Sequence, residues 1–404
     1  MSSVDSNLII IGGGPTGSFS ALQAAKTGVS TTILEEHDRI GFPSHCTGHI
    51  SLTGVRHLEL NIPRMVYENE IKSAVFYSPS GKRFTVRFPH PVTCVINREL
   101  LDQHLFDTAL KAGAEASLGT CVHSLLVENG YVKGVRARRD TKTEEFRSKI
   151  VIDAEGVSST ILKRAGIPTL NSCLMVRGVQ AEVNKIKDIQ EDTVEVYLGR
   201  KFAPGFFAWI VPRRDGTGKI GLATERGNPR EYFHNFARHH PIVSQKLKRS
   251  RIESLVYHPI SLGGPIPKTY YNGLLIAGDA ASQVKPTTGG GIVMGLTAAK
   301  IAGEVATEAI QTQDYSADFL SKYEHRWKRK IGFDMKAMKH IRLMLNSFTD
   351  RKLDRLVSIC ANLGVEKSLK QVRDIDFQGR SLIRMAKNPR ALATALYLLA
   401  ISFF

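Results

Sequence analysis

Three glycines near the start of the chain have the spacing of a phosphate grip. In LIIIGGGPTGS, Leu8 to Ser18, Gly12, Gly14 and Gly17 fit G-x-G-x-x-G. In that pattern the first glycine makes a tight turn, the second lets the backbone approach a pyrophosphate, and the third lets a helix pack on the preceding strand. The chemistry is dinucleotide binding, with phosphate charge met by the amide-rich start of a helix. It calls for a carboxylate about 20 residues further on to accept hydrogen bonds from a ribose. Glu35 stands 23 residues after Gly12, at the end of VSTTIL, and Glu36 is its rival for that role.

A second carboxylate has a similar setting far downstream. Asp279 closes the apolar run of GLLIAGDAA and is followed by PTTGGG, Pro286 to Gly291. A carboxylate at a strand end can accept hydrogen bonds from sugar hydroxyls, and amides at the next helix start can meet negative charge. The cysteines Cys46, Cys94, Cys121, Cys173 and Cys360 are scattered without a C-x-x-C pair, so they spell out neither a zinc site nor an iron–sulfur cluster, and no metal is expected. Such thiols fit a reduced, cytoplasmic setting.

These residues need a scaffold, and the apolar patterns supply one. Leu8 to Ile11 predicts a buried parallel strand, about Thr16 to Thr27 a helix, and Val29 to Leu34 a second strand. Asn97 to Gly113 has helical spacing at Leu101, Leu105, Ala109 and Leu110, with short strands expected over Ala116 to Val122 and Leu125 to Val127. Lys149 to Gly156 and Gly273 to Ala281 are further strands ending in acid and glycine, the latter leading into a small-residue helix from Gly291 to about Ala309. Between these blocks, Lys72 to Phe88 and Arg177 to Thr224 alternate in the manner of a second, antiparallel layer. The expected architecture is α/β: a nucleotide domain over residues 1–71, 93–165 and 265–310, a substrate sheet over 72–92 and 166–264, and a basic helical region over 311–404.

The 404 residues, 42% of them apolar, can bury a large core, and the formal charge is +17. From Lys322 onward 18 basic residues face seven acidic ones, so +11 of that charge lies in the final 83 residues. No basic stretch precedes an apolar one at the N-terminus, so a secretory signal is not expected. A helix from Phe319 would set Lys322, Arg326, Lys328, Arg329 and Lys330 beside Phe319, Tyr323 and Trp327, a basic amphipathic pattern suited to an anionic membrane surface. The chain ends in ALATALYLLAISFF, 14 residues without a charge and short of the ~20 that a spanning helix needs. Charges interleave and no nucleic-acid module is recognisable, so no nucleic-acid partner is expected.

Taken together, GGGPTG with Glu35, VIDAEGVSS and GLLIAGDAASQVKPTTGGGI resemble the glutathione-reductase-like flavoproteins of the aromatic-hydroxylase type, and within them the geranylgeranyl reductase family, over roughly residues 7 to 310. The resemblance implies a glutathione-reductase-like FAD-binding Rossmann domain, an inserted antiparallel sheet domain and a C-terminal helical region. It implies FAD held by Gly12, Gly14, Gly17, Glu35 or Glu36, Arg98, Val122, Asp279, Gly289, Gly290, Gly291 and Ile292. The family usually has Asp before the glycine of the second block, where this chain has Glu155. Two segments narrow the likeness. PGFFAWIVP, Pro204 to Pro212, is similar to the family's P-x-x-Y-x-W-x-F-P, with Phe207 and Val211 replacing Tyr and Phe, and implies a substrate wall of Phe207, Trp209 and Pro212. GFPSHCTGHI matches the family's cysteine-glycine turn at Cys46 and Gly48, a turn that the family sets beside the flavin ring.

The implied activity is reduction of C=C bonds in geranylgeranyl chains of isoprenoid lipids. An isolated trisubstituted alkene needs a hydride on one carbon and a proton on the other, with no neighbouring carbonyl to stabilise a carbanion. Flavin supplies the hydride, and Cys46, His45 or a water they hold are the candidates for the proton. No second complete G-x-G-x-x-G marks a nicotinamide domain, so NAD(P)H, ferredoxin or another reduced carrier stays open as the electron donor, as does the oligomeric state. Two rival readings remain at this stage. One is an FAD monooxygenase or halogenase, since FAWIVP is similar to the halogenase W-x-W-x-I-P without its first Trp. The other is a non-enzymatic, membrane-binding protein that keeps FAD for structure.

Overall fold

Leu8 to Ile11 are at most 4% exposed, as befits a strand covered on both faces. In the computed structural model, which describes residues 4–170, 172–253, 255–362, 376 and 378–380, they end the strand Val4–Ile11. The chain divides into two compact units: residues 1–44, 98–171 and 263–335, and residues 45–97, 172–262 and 336–404.

The first unit is built on a sheet with strand order Tyr270–Tyr271, Leu274–Ile276, Lys142–Asp153, Val4–Ile11, Thr31–Leu34 and Glu115–Ser117, and all but the Tyr270–Tyr271 pairing are parallel. Thr120–Glu128 and Tyr131–Arg139 form an antiparallel meander that joins the first half of Lys142–Asp153. Helix Pro15–Ala25 packs against Arg98–Lys111 and Ile292–Thr312. Small residues let the helices close up: a Cβ at Gly303 would lie 2.6 Å from the Ser20 carbonyl oxygen. Gly12 ends its strand at positive φ, where a side chain would meet the Ala154 carbonyl oxygen at 2.6 Å.

The helix expected from Phe319 is Ala317–Trp327, and two residues of its aromatic stripe, Tyr323 and Trp327, pack on protein. Tyr323 and Trp327 share a face at i, i+4 and are wholly buried. Tyr323 donates to the Ile276 carbonyl at 2.9 Å, and Trp327 Nε1 donates to Thr269 Oγ1 at 3.0 Å. Two of the cations are already paired, Arg326 with Glu308 and Lys328 with Glu324, each at 2.6 Å. The apolar stretch 391–404 lies outside the described residues.

The second unit carries a seven-stranded sheet in the order Val256–Ser261, Met175–Val183, Gly218–Thr224, Phe207–Pro212, Thr193–Leu198, Ser73–Tyr77 and Arg83–Arg87. Neighbours run antiparallel except Thr193–Leu198 with Ser73–Tyr77, which are parallel. Those two strands come from stretches far apart in the chain, so no hairpin imposes an antiparallel pairing. Alternation gives the sheet two different faces. Val179, Ala181, Ala208, Ile210, Ile220 and Leu222 point to one, where Phe233, Phe236 and Ala237 of helix Pro229–His239 cover them. The other face carries Phe207, Trp209, Val211, Lys219, Gly221, Gly178, Gln180 and His258.

Candidate functional site

On the nucleotide side, the glycines differ in the space around them. A Cβ at Gly17 would overlap the Gly12 carbonyl oxygen, whereas a Cβ at Gly14 would meet nothing within 4 Å. The space beside Gly14 is thus open, as a backbone that approaches a pyrophosphate requires. Glu35 ends strand Thr31–Leu34 and is 9% exposed, and its Oε2 accepts from Gly13 N at 2.6 Å while Oε1 accepts from His37 N at 3.0 Å. Glu36 is exposed, with the Cys121 thiol donating weakly to it at 3.8 Å.

Asp279 follows strand Leu274–Ile276 in a half-buried position. Burial pushes its carboxyl pKa up, and Arg98 opposes that shift. Arg98 also grips Asp102 through both oxygens, at 3.1 and 2.8 Å. A Cβ at Gly291 would lie 2.9 Å from Asp279 Oδ1, so the glycine run leaves this carboxylate uncovered. Gly289, with positive φ, and Gly290 close the tight turn from Lys285, and Ile292 opens the helix Ile292–Thr312. Val122 lies in strand Thr120–Glu128 and packs partly on the core of this unit. Asp153 is fully buried, with Oδ2 unpartnered among the described residues, and burial together with Glu155 pushes its pKa well above the ordinary carboxylate value. Glu155, the departure from the family's Asp, accepts from Ile161 N and Leu162 N at 3.0 and 3.2 Å and so caps the short helix Thr160–Arg164. An uncovered carboxylate, open space beside Gly14 and an acid at the glycine turn together fit a bound dinucleotide.

In the second unit, Trp209 and Phe207 share the sheet face opposite the helix. Trp209 pairs with Gly221, and its ring lies over that glycine so closely that a Cβ there would be 2.5 Å from the ring. Phe207 stands edge-on to Trp209 at 6.0 Å and stacks on Phe206 at 4.1 Å. Arg342, 6% exposed, lies over Phe206 at 4.5 Å, and burial pushes its pKa down to about 10. The Trp209 indole nitrogen and Gln180 Oε1 are buried without hydrogen-bond partners among the described residues. Pro212 has the opposite strand parity and is buried, and its carbonyl accepts from Asn69 Nδ2 at 2.9 Å.

The cysteine turn reaches the same face. Lys219 Nζ donates to the Cys46 and Thr47 carbonyls at 3.4 and 3.3 Å, and His45 stacks on His258 at 5.3 Å. Gly48 N donates to Cys46 Sγ at 3.4 Å, and Gly48 has positive φ at a place where a Cβ would overlap the Ile96 carbonyl oxygen. Through Lys219 and His258, the turn carrying His45 and Cys46 thus meets the sheet face that also bears Phe207 and Trp209, more than 160 residues further along the chain. Sequence reasoning missed Lys219, Gly221, Gly178 and His258. A lysine in the otherwise apolar GKIGLAT was the available signal.

The FAD-binding domain family matches residues 5–329. A digeranylgeranylglycerophospholipid reductase of Methanopyrus kandleri is 32% identical over 94% of this chain and 95% of its own. The chain belongs to this reductase family. Its fold also matches a geranylgeranyl bacteriochlorophyll reductase-like protein of Thermoplasma acidophilum, with a TM-score of 0.88 and 27% identity over 98% of this chain and all of the other. The flavin-dependent brominase Bmp2 matches at a TM-score of 0.70 and 17% identity over 95% of this chain and 99% of its own, which shows a shared fold alone. For the reductase family member described here, no group of three or more His, Cys, Asp or Glu that could hold a metal occurs among the described residues.

Proposed function

We propose that the protein is an FAD-dependent reductase that hydrogenates C=C bonds of geranylgeranyl chains, with digeranylgeranylglycerophospholipid as substrate and a reduced carrier as electron donor. The observation that carries this reading is the sheet face on which a cysteine-histidine turn and an aromatic wall meet, in a chain that belongs to the reductase family. Gly12, Gly14, Gly17, Glu35, Asp279 and Gly289 to Gly291 would hold FAD, with Arg98 balancing the charge of Asp279. FAD bound there in its reduced form would supply the hydride. The chain's own residues supply the rest: Phe207 and Trp209 hold the isoprenoid chain by apolar contact, and Cys46, assisted by His45, delivers the proton to the less substituted carbon, so that positive charge builds on the more substituted one, which takes the hydride. A lipid substrate also favours work at an anionic membrane surface, and among the described residues no helix is long and apolar enough to cross one.

Cys46→Ala tests the assignment. It should keep its flavin colour and lipid binding while alkene reduction falls by about 100-fold, the scale of a general acid. Unchanged turnover would assign the proton to another group.

A further inference from the structure

Lys219 is an unusual residue for its place. It lies in Gly218–Thr224, where every residue is buried, and is itself 5% exposed. A buried ammonium is costly unless each of its three donors finds a partner. Two donors meet the Cys46 and Thr47 carbonyls, and the third side of the ammonium faces Glu68 at 3.7 Å. Glu68 is shared with Arg213, whose Nε lies 3.2 Å from it, and Arg213 in turn forks onto Glu182. Two cations and two carboxylates therefore balance beneath the cysteine turn. Burial still pushes the Lys219 pKa down, with Glu68 opposing the shift. The other residues of that strand are uncharged, so the lysine and Glu68 together carry a desolvation cost that an apolar pair would not.

We propose that Lys219 is the positioning residue of the proton-delivering turn: by holding two successive carbonyls it fixes the Cys46 side chain in the orientation that protonation of the alkene requires. This rests on the reading of Cys46 given above. The backbone at Gly48 is already constrained by Ile96, so the lysine and the glycine clamp the turn from both ends. Loss of the lysine leaves the turn anchored at one end only, and the rate of the proton-dependent step falls while flavin and lipid binding persist.

The test is single-turnover alkene reduction by the anaerobically reduced holoenzyme, with Lys219→Met, Cys46→Ala and the double variant compared in one cycle. Lys219→Met/Glu68→Gln keeps the buried charge balanced and serves if Lys219→Met alone fails to fold. The expected result is a roughly 10- to 100-fold slower reduction in the lysine variant, with lipid KM within about threefold, and no further loss when it is added to Cys46→Ala. Peptide-level mass spectrometry should also show a changed rate of Cys46 alkylation. Wild-type rates in the charge-balanced variant, with Cys46→Ala slow, would overturn the positioning role and leave the cysteine assignment standing. An equal further loss on top of Cys46→Ala would overturn it as well. A fully active Cys46→Ala would remove both assignments.

Discussion

At the scale of single residues, the glycine turn separates folding from binding. Gly17→Ala must drive a methyl into the Gly12 carbonyl, so it should cost roughly 2–3 kcal/mol in denaturant melts whether or not flavin is present. A Cβ at Gly14 meets no protein atom within 4 Å, so Gly14→Val should give a folded protein that purifies without yellow colour. A Gly14→Val protein that kept its flavin would contradict the phosphate placement. The choice between Glu35 and Glu36 could not be made from adjacency. The structure buries Glu35 against Gly13 N and exposes Glu36, so Glu35→Ala should weaken FAD retention by about 10-fold or more and Glu36→Ala by less than about threefold, as read by equilibrium dialysis. Lys219 was visible as a charge in an apolar strand, but its role and that of Gly221 were not, because they come from partners in a distant turn and on a neighbouring strand, which strand alternation alone does not name.

At the scale of elements, helix Pro229–His239 covers one sheet face and ends at His240, which is 1% exposed. His240 Nδ1 accepts from Ile242 N and Val243 N at 3.3 and 3.4 Å, and burial with Lys201 nearby pushes its pKa down to about 4. Between that value and the ordinary ~6.5 the unfolded chain binds the proton and the folded one does not, so stability falls as pH drops through this window. Allowing for partial screening, the loss should approach about 2 kcal/mol from pH 7 to pH 4, and His240→Phe should flatten that part of the profile. Elements with strong local patterns, such as Val4–Ile11 and Ile292–Thr312, were readable from the sequence. The aromatic stripe of Ala317–Trp327 was readable as a stripe, but its partner was not. Amphipathic spacing says that a face is covered, and only the tertiary contacts of Tyr323 with Ile276 and Trp327 with Thr269 say by what.

At the scale of the whole molecule, the three separated nucleotide-binding segments signalled an interrupted domain because their strand-acid-glycine form recurs. The parallel register of Thr193–Leu198 with Ser73–Tyr77 did not show, since it depends on how distant stretches return to one sheet. The concentration of charge toward the C-terminus bears on where such a protein works. Co-sedimentation with anionic vesicles at low salt should be stronger for the full chain than for one ending at Pro389, and should weaken as salt rises. Equal sedimentation of both forms would take the final apolar residues out of membrane attachment. The central claim is alkene reduction, and it is tested most directly without oxygen. The purified holoenzyme is photoreduced until its yellow absorbance bleaches, and digeranylgeranylglycerophospholipid is then added. The account predicts that the absorbance returns in step with a gain of two hydrogens per reduced bond in the lipid. Absorbance that stays bleached until oxygen is admitted, with an oxygenated or halogenated product, would contradict it.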